Sequence, residues 1–155
     1  MKKNNIIIFF LVFIITFAVD FFSKNLAEIV LADSITKINF IPEILSFEKV
    51  YNTGGAFSIL QGNIFLLSAI SAITLIVIVI YIFRENKCIN KIETGALALI
   101  AGGALGNLYD RIFFGYVVDF IQLDFINFPI FNFADVFINI GVIILLISVV
   151  LKKHE

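Results

Sequence analysis

Thiols, imidazoles and charge are all scarce in this 155-residue chain. Cys88 is the single cysteine, so no internal disulfide can form. His154 is the single histidine and sits in a charged tail, where a solvated side chain is the ordinary reading. Ser-His-Asp and Cys-His catalysis and histidine-based zinc sites are thereby set aside. Charged residues make up 15% of the chain, against about 25% in a soluble domain. The net charge of −1 leaves no strongly basic surface for nucleic acid. What fills the chain instead is apolar: 61% hydrophobic residues and a mean hydropathy of +1.06. A soluble domain has about 45–50%, and the excess here is arranged in blocks, which points to a bilayer.

A membrane helix needs about 20 apolar residues, within a range of about 17–25. Asn4 to Val19 is uncharged and reaches 20 residues with Asp20 to Ser23; Gln61 to Phe83 is an uncharged run of 23. Thr94 to Tyr109 gives 16, so a third helix must place Asp110 or polar flanks at its boundary. A fourth runs from Asp135 to Leu151. The expected fold is an all-α membrane protein, a single domain with four transmembrane helices at about 4–23, 61–83, 94–110 and 135–151. Lys2 and Lys3 before an apolar run also suit a signal peptide, but no small-residue cleavage pattern follows, so retention is expected. Seven of the eleven basic residues lie at the two termini and between spans two and three, which predicts a cytoplasmic side for all three. Segments 24–60 and 111–134 then face outward. KINFIP and LSFEKVYN read as short strands, and GGAFSIL as a short interfacial helix. Gly102 and Gly106 stand four apart in span three, a spacing that lets helices pack closely.

Polar residues crowd one predicted membrane edge: Asp20 and Lys24, Asn52, Asn107 and Arg111, Asp119, and Asn132 and Asp135. From Phe125 to Leu151, 27 residues, Asp135 is the one charged side chain. A carboxylate near hydrocarbon is costly and faces the protein interior or a wet cavity. Each position also has a plainer reading. Asp135 suits a helix cap, Asp119 an ordinary loop carboxylate, Asp110 with Arg111 a surface ion pair of little energetic weight, and Asp124 a solvated loop charge. Asp20 with Lys24 reads equally as a boundary ion pair or as part of a site.

With histidine and cysteine set aside, a carboxylate pair is the remaining strong hydrolytic device. Two adjacent aspartates share a proton; the ionised one takes a proton from water and the other donates to the substrate carbonyl. Asp119 and Asp135 are the candidates. Asn52, Asn107, Asn132 and Arg111 would hold them and the substrate, with Arg111 free to pair with the ionised member. A serine–lysine dyad has little support, because consecutive Ser23 and Lys24 do not face each other on a helix. A small transporter or proton pathway is the competing class, since intramembrane carboxylates serve it as well.

GNLYDRIFFGYVVDF (106–120) followed by FNFADVFINIG (131–141) resembles the paired signature of the lipoprotein signal peptidases, the signal peptidase II family. YNTGGAF (51–57) and DFFSK (20–24) resemble two further motifs of that family, in the same order. The resemblance implies a bacterial membrane aspartate endopeptidase that removes the signal peptide from diacylglyceryl-modified prolipoproteins by cutting before the lipidated cysteine. It implies Asp119 and Asp135 as the catalytic pair, and Asp20, Asn52, Gly54, Asn107, Arg111 and Asn132 as residues that support the site or bind substrate. It also implies a small extracytoplasmic β-platform from 35–55 and a short interfacial helix near 55–62. No metal or other cofactor is required by this chemistry. The expected partners are lipidated prolipoproteins and membrane lipids, with a monomer as the default state. The expected place is the bacterial cytoplasmic membrane, multi-pass, with the active site on the extracytoplasmic side. Two departures stand out: Phe21 replaces a usual glutamine, which removes a polar partner near Asp20, and Gly55 replaces a usual alanine, which frees the backbone of the covering loop.

Overall fold

A computed structural model describes residues 3–32, 37–55, 59–85 and 88–152. Its elements follow in the order α1 (Lys3–Val30), β1 (Lys37–Ile41), β2 (Leu45–Asn52), α2 (Ile64–Glu85), α3 (Lys91–Phe113), β3 (Val117–Leu123) and α4 (Phe133–Lys152). The chain is mostly helical, and among the described residues three helices, α1, α2 and α4, are long and apolar enough to cross a membrane. At 23 residues α3 matches their length but not their apolarity: Lys91, Glu93, Asp110 and Arg111 occupy its end turns, and glycine and alanine fill its middle. It is the central helix, packed by α1, α2 and α4 and buried through most of its length.

The small residues of α3 explain how it is surrounded. A Cβ on Gly102 would stand 2.7 Å from the Thr16 Cβ and 2.9 Å from the Phe13 carbonyl of α1. One on Gly103 would stand 2.5 Å from the Ala134 carbonyl of α4, and one on Gly141 of α4 would stand 2.6 Å from the Ala96 carbonyl. Backbones meet on two sides of α3 because nothing but hydrogen separates them, the contact that holds helices together where lipid removes the hydrophobic drive. Its start is fixed by a reciprocal cap: the Asn90 side chain accepts from the Glu93 N–H at 2.9 Å, and Glu93 accepts from the Asn90 N–H at 3.3 Å. Ser148 of α4 donates to Glu93 at 2.7 Å, and Asn5 of α1 donates to the Ile89 carbonyl at 2.9 Å. A second, structural polar cluster thus lies at the end of the bundle where the sequence reading placed none.

The first helix is longer than expected. Asp20 and Lys24, read as its end, lie inside it and pair with each other at 2.8 Å, so the charges are satisfied without ending the helix. Its 28 residues span about 42 Å, beyond a hydrocarbon core of about 30 Å. The extra turns carry the sheet: Ala27 and Leu31 pack against Phe120 and Ile121, with Phe47 and Phe133 beside them.

The sheet is antiparallel in the order β1-β2-β3. Two strands come from the expected 35–55 segment, but the third, β3, comes from the outward segment 111–134, where no strand was expected. VVDFIQL is buried at its first five positions, so the alternating pattern that marks a half-exposed strand is missing from it. Of the short helix expected near 55–62, residues 56–58 lie outside the described residues, and 59–62 form turns instead. Leu60 (φ 58°) and Gly62 (φ 80°) adopt left-handed backbone, which cannot continue a right-handed helix.

Candidate active site

Asp135 lies in the first turn of α4 and does two things at once. Its Oδ2 accepts the Asn132 N–H at 3.3 Å while the Asn132 side chain accepts the Asp135 N–H at 3.0 Å, the reciprocal pattern of a capping box. Its Oδ1 accepts from Asn107 Nδ2 of α3 at 2.9 Å. The helix-cap reading of Asp135 is therefore right and incomplete: capping fixes the carboxylate, and its other oxygen is held by a neighbouring helix.

Asp119 is a strand residue, opposite Val50 in the β2–β3 register, and only 2% exposed, which corrects the loop-carboxylate alternative. Asn52 Nδ2, at the end of β2, donates to its Oδ2 at 2.8 Å, and Asn132 Nδ2 donates to its Oδ1 at 2.6 Å. Asn132 also donates to Asn107 Oδ1 at 3.1 Å. One buried asparagine thus links the two aspartates, bonding the side chain of Asp119 and exchanging bonds with Asp135. Burial, then the charge of Asp135, push the Asp119 carboxyl up to about 7.

Asp119, Asp135, Asn52, Asn107 and Arg111 line one cleft of about 690 Å³, which is also lined by the apolar Val136, Ile140 and Ile143 of α4. Asn139 lines the same cleft one turn along from Asp135. Arg111 Nη2 donates to the Gly54 carbonyl at 3.1 Å, and Gly54 N–H donates to Asn52 Oδ1 at 2.8 Å, so arginine and asparagine hold the 53–55 segment at the rim. Among the described residues Arg111 forms no ion pair; its expected pairing with an aspartate is replaced by these backbone bonds. Asp20 Oδ1 accepts the Ala134 N–H at 2.8 Å, capping α4 from a different helix. Its Oδ2 faces the Lys24 ammonium and rests against Gly106, where a Cβ would collide with it.

Asp110, read as a surface partner of Arg111, is buried; it pairs with Lys24 at 3.0 Å and accepts the Val118 N–H at 3.2 Å. Lys24 is consumed by these contacts, which removes the serine–lysine alternative for Ser23. Asp124, read as a solvated loop charge, accepts from Lys37 at 2.7 Å and Ser46 at 3.0 Å. Phe21 packs edge-on to Tyr109 with ring centroids 5.4 Å apart and does not line the cleft. At Gly55 a Cβ would meet its nearest neighbours at 3.4 Å, an ordinary contact, so glycine there reflects no steric demand.

The family model of signal peptidase (SPase) II matches residues 12–151. The chain belongs to the signal peptidase II family. It is 37% identical over 148 residues to the lipoprotein signal peptidase of Enterococcus faecalis, covering 96% of this chain and 91% of that protein. It is 39% identical to the lipoprotein signal peptidase of Caldicellulosiruptor bescii, covering 96% and 94%. A solved bacterial membrane enzyme superposes with a TM-score of 0.83 at 31% identity, covering 99% of this chain and 91% of that one. A second superposes at 0.74 with 32% identity, covering 96% and 94%. As a member of this family the chain is a bacterial membrane protease.

Proposed function

We propose that the cleft cuts diacylglyceryl-modified prolipoproteins just before the lipidated cysteine, with Asp119 and Asp135 as the catalytic pair. The family supplies the reaction, removal of signal peptides from prolipoproteins. The observation that carries the residue assignment is the linkage of two aspartates from different elements by Asn132 inside one cleft. Near neutral pH the shared proton rests on Asp119, whose carboxyl is raised to about 7. Asp135 takes a proton from the attacking water while Asp119 donates to the scissile carbonyl; as the resulting gem-diol collapses, Asp135 passes its proton to the leaving amine and Asp119 recovers one from a diol hydroxyl. Asn52, Asn107 and Asn132 keep both carboxylates in place, and Arg111 steadies the 53–55 segment over the bound peptide. The apolar face of α4 receives hydrocarbon from the substrate. In this reading α3 is the fourth membrane helix, both termini are cytoplasmic, the sheet lies on the extracytoplasmic side, and the protein works as a monomer.

Conversion of a lipidated preprotein to its shorter form tests the assignment. Asp119→Asn and Asp135→Asn should each slow conversion by about 10²–10⁴, the usual worth of a positioned acid or base. Parental rates in either variant would remove that aspartate from the pair.

A further inference from the structure

Lys24 touches neither aspartate of the pair through a hydrogen bond or ion pair, yet it is 3% exposed and fully engaged. An ammonium has three donors and no acceptor. Here they meet Asp20 Oδ2 at 2.8 Å, Asp110 Oδ2 at 3.0 Å and Asn107 Oδ1 at 3.0 Å. The third contact bears on catalysis. A side-chain amide has nearly the same shape in either of two orientations, one with oxygen and one with NH₂ at a given place. At Asn107 the oxygen receives both Lys24 and Asn132, and this leaves the NH₂ to donate to Asp135 Oδ1 at 2.9 Å. Reversed, the amide would set its NH₂ against the Lys24 ammonium and its oxygen against the Asp135 carboxylate, donor on donor and acceptor on acceptor.

We propose that Lys24 is a positioning residue of the catalytic pair: it locks the orientation of the Asn107 amide, so that Asp135 faces a fixed N–H donor. This rests on the reading of Asp119 and Asp135 as the pair. The anions around Lys24 are themselves anchored, Asp20 by the Ala134 N–H of α4 and Asp110 by the Val118 N–H of β3, next to Asp119. The ammonium therefore stands at a fixed place relative to both elements that carry the pair. The missing Cβ of Gly106 makes room for Asp20 in this cluster.

The test is steady-state cleavage of a lipidated prolipoprotein peptide by full-length protein in detergent, with folded enzyme counted by size-exclusion chromatography. Lys24→Met should lower kcat per folded molecule by about 10- to 100-fold, the scale of a small misplacement of catalytic groups, and leave KM within about twofold. Lys24→Arg, which also presents only donors, should recover most of the loss. Unchanged kcat in folded Lys24→Met, or a KM effect alone, would overturn the proposal. Should two unpaired carboxylates prevent that variant from folding, Lys24→Met/Asp110→Asn removes one charge of each sign and carries the same expectation. If neither methionine variant folds, folded Lys24→Arg decides: near-parental kcat supports the proposal and a collapse in kcat refutes it. Asp135→Asn run alongside separates the two ideas, because activity in that variant would sink the catalytic assignment, whereas parental kcat in Lys24→Met alone would sink only the role of Lys24.

Discussion

At the scale of single residues, the site depends on side chains that each serve structure and chemistry together. Asp135 caps α4 and faces the cleft; Asn132 completes the cap and bonds Asp119. Asp119 pays for its position. Buried beside another carboxylate, it holds a proton to about pH 7, whereas unfolded it releases it near 3.8. The native state therefore binds more protons across that interval. The contribution of Asp119 to stability is complete below about pH 3.8 and is lost as pH rises through about 7, with a slope of up to about 1.4 kcal/mol per pH unit. Thermal unfolding of the parent and of Asp119→Asn, followed from pH 4 to 8, should show the parent losing ground to the variant as pH rises. A pH-independent difference would contradict the raised carboxyl. Motif reading named both aspartates as the pair, and the structure puts both in one cleft. Sequence reading misjudged Asp110, whose sequence neighbour Arg111 offers an obvious partner while its actual partner, Lys24, is far away along the chain.

At the scale of elements, α3 is the keel on which the site is built. It presents Asn107 to Asp135 while its glycines admit α1 and α4 on two faces. Gly103 is where α4 comes nearest, with the Ala134 carbonyl 2.5 Å from where a side chain would begin. Gly103→Leu should push α4 away just below Asp135. Overpacking of this kind costs about 1–3 kcal/mol, and a thermal midpoint lower by about 2–10 °C is expected. Activity should fall further than stability, because the Asn107–Asp135 bond crosses the same interface. A variant as active and as stable as the parent would show that α3 and α4 do not meet there. The GxxxG spacing pointed to close packing in advance, but not to which helix each glycine meets. Gly102 faces α1, Gly103 faces α4, and Gly106 faces a carboxylate rather than a helix backbone.

At the scale of the molecule, the polar site and the sheet lie at one end of an apolar bundle, and the Asn5, Glu93 and Ser148 contacts lie at the other. The proposed orientation across the bilayer rests on the basic residues, and the single cysteine offers a direct check. Cys88 is exposed in the connection between α2 and α3, one of the segments that the charge bias of the sequence assigns to the cytoplasmic side. A membrane-impermeant maleimide should leave it unlabelled in intact spheroplasts and label it once the membrane is opened. Labelling in intact spheroplasts would invert the proposed topology and put the cleft on the cytoplasmic side.

The amino-acid sequence alone determined the membrane character and the helices near residues 4–23, 61–83, 94–110 and 135–151, and it singled out the two aspartates that share the cleft, because each of these is a local property. Hydropathy, charge bias and short motifs are read within windows of a few residues to about twenty. Tertiary structure decided the rest. It made VVDFIQL a buried strand, carried α1 on to Val30 through an internal ion pair, and turned Arg111 from the aspartates to the Gly54 carbonyl. It also gathered Asp20, Lys24 and Asp110 behind Asn107. Each of these is a choice of partner distant along the chain. A buried charge or amide takes whichever complementary group the packing brings within about 3 Å, and no local pattern records which group that will be.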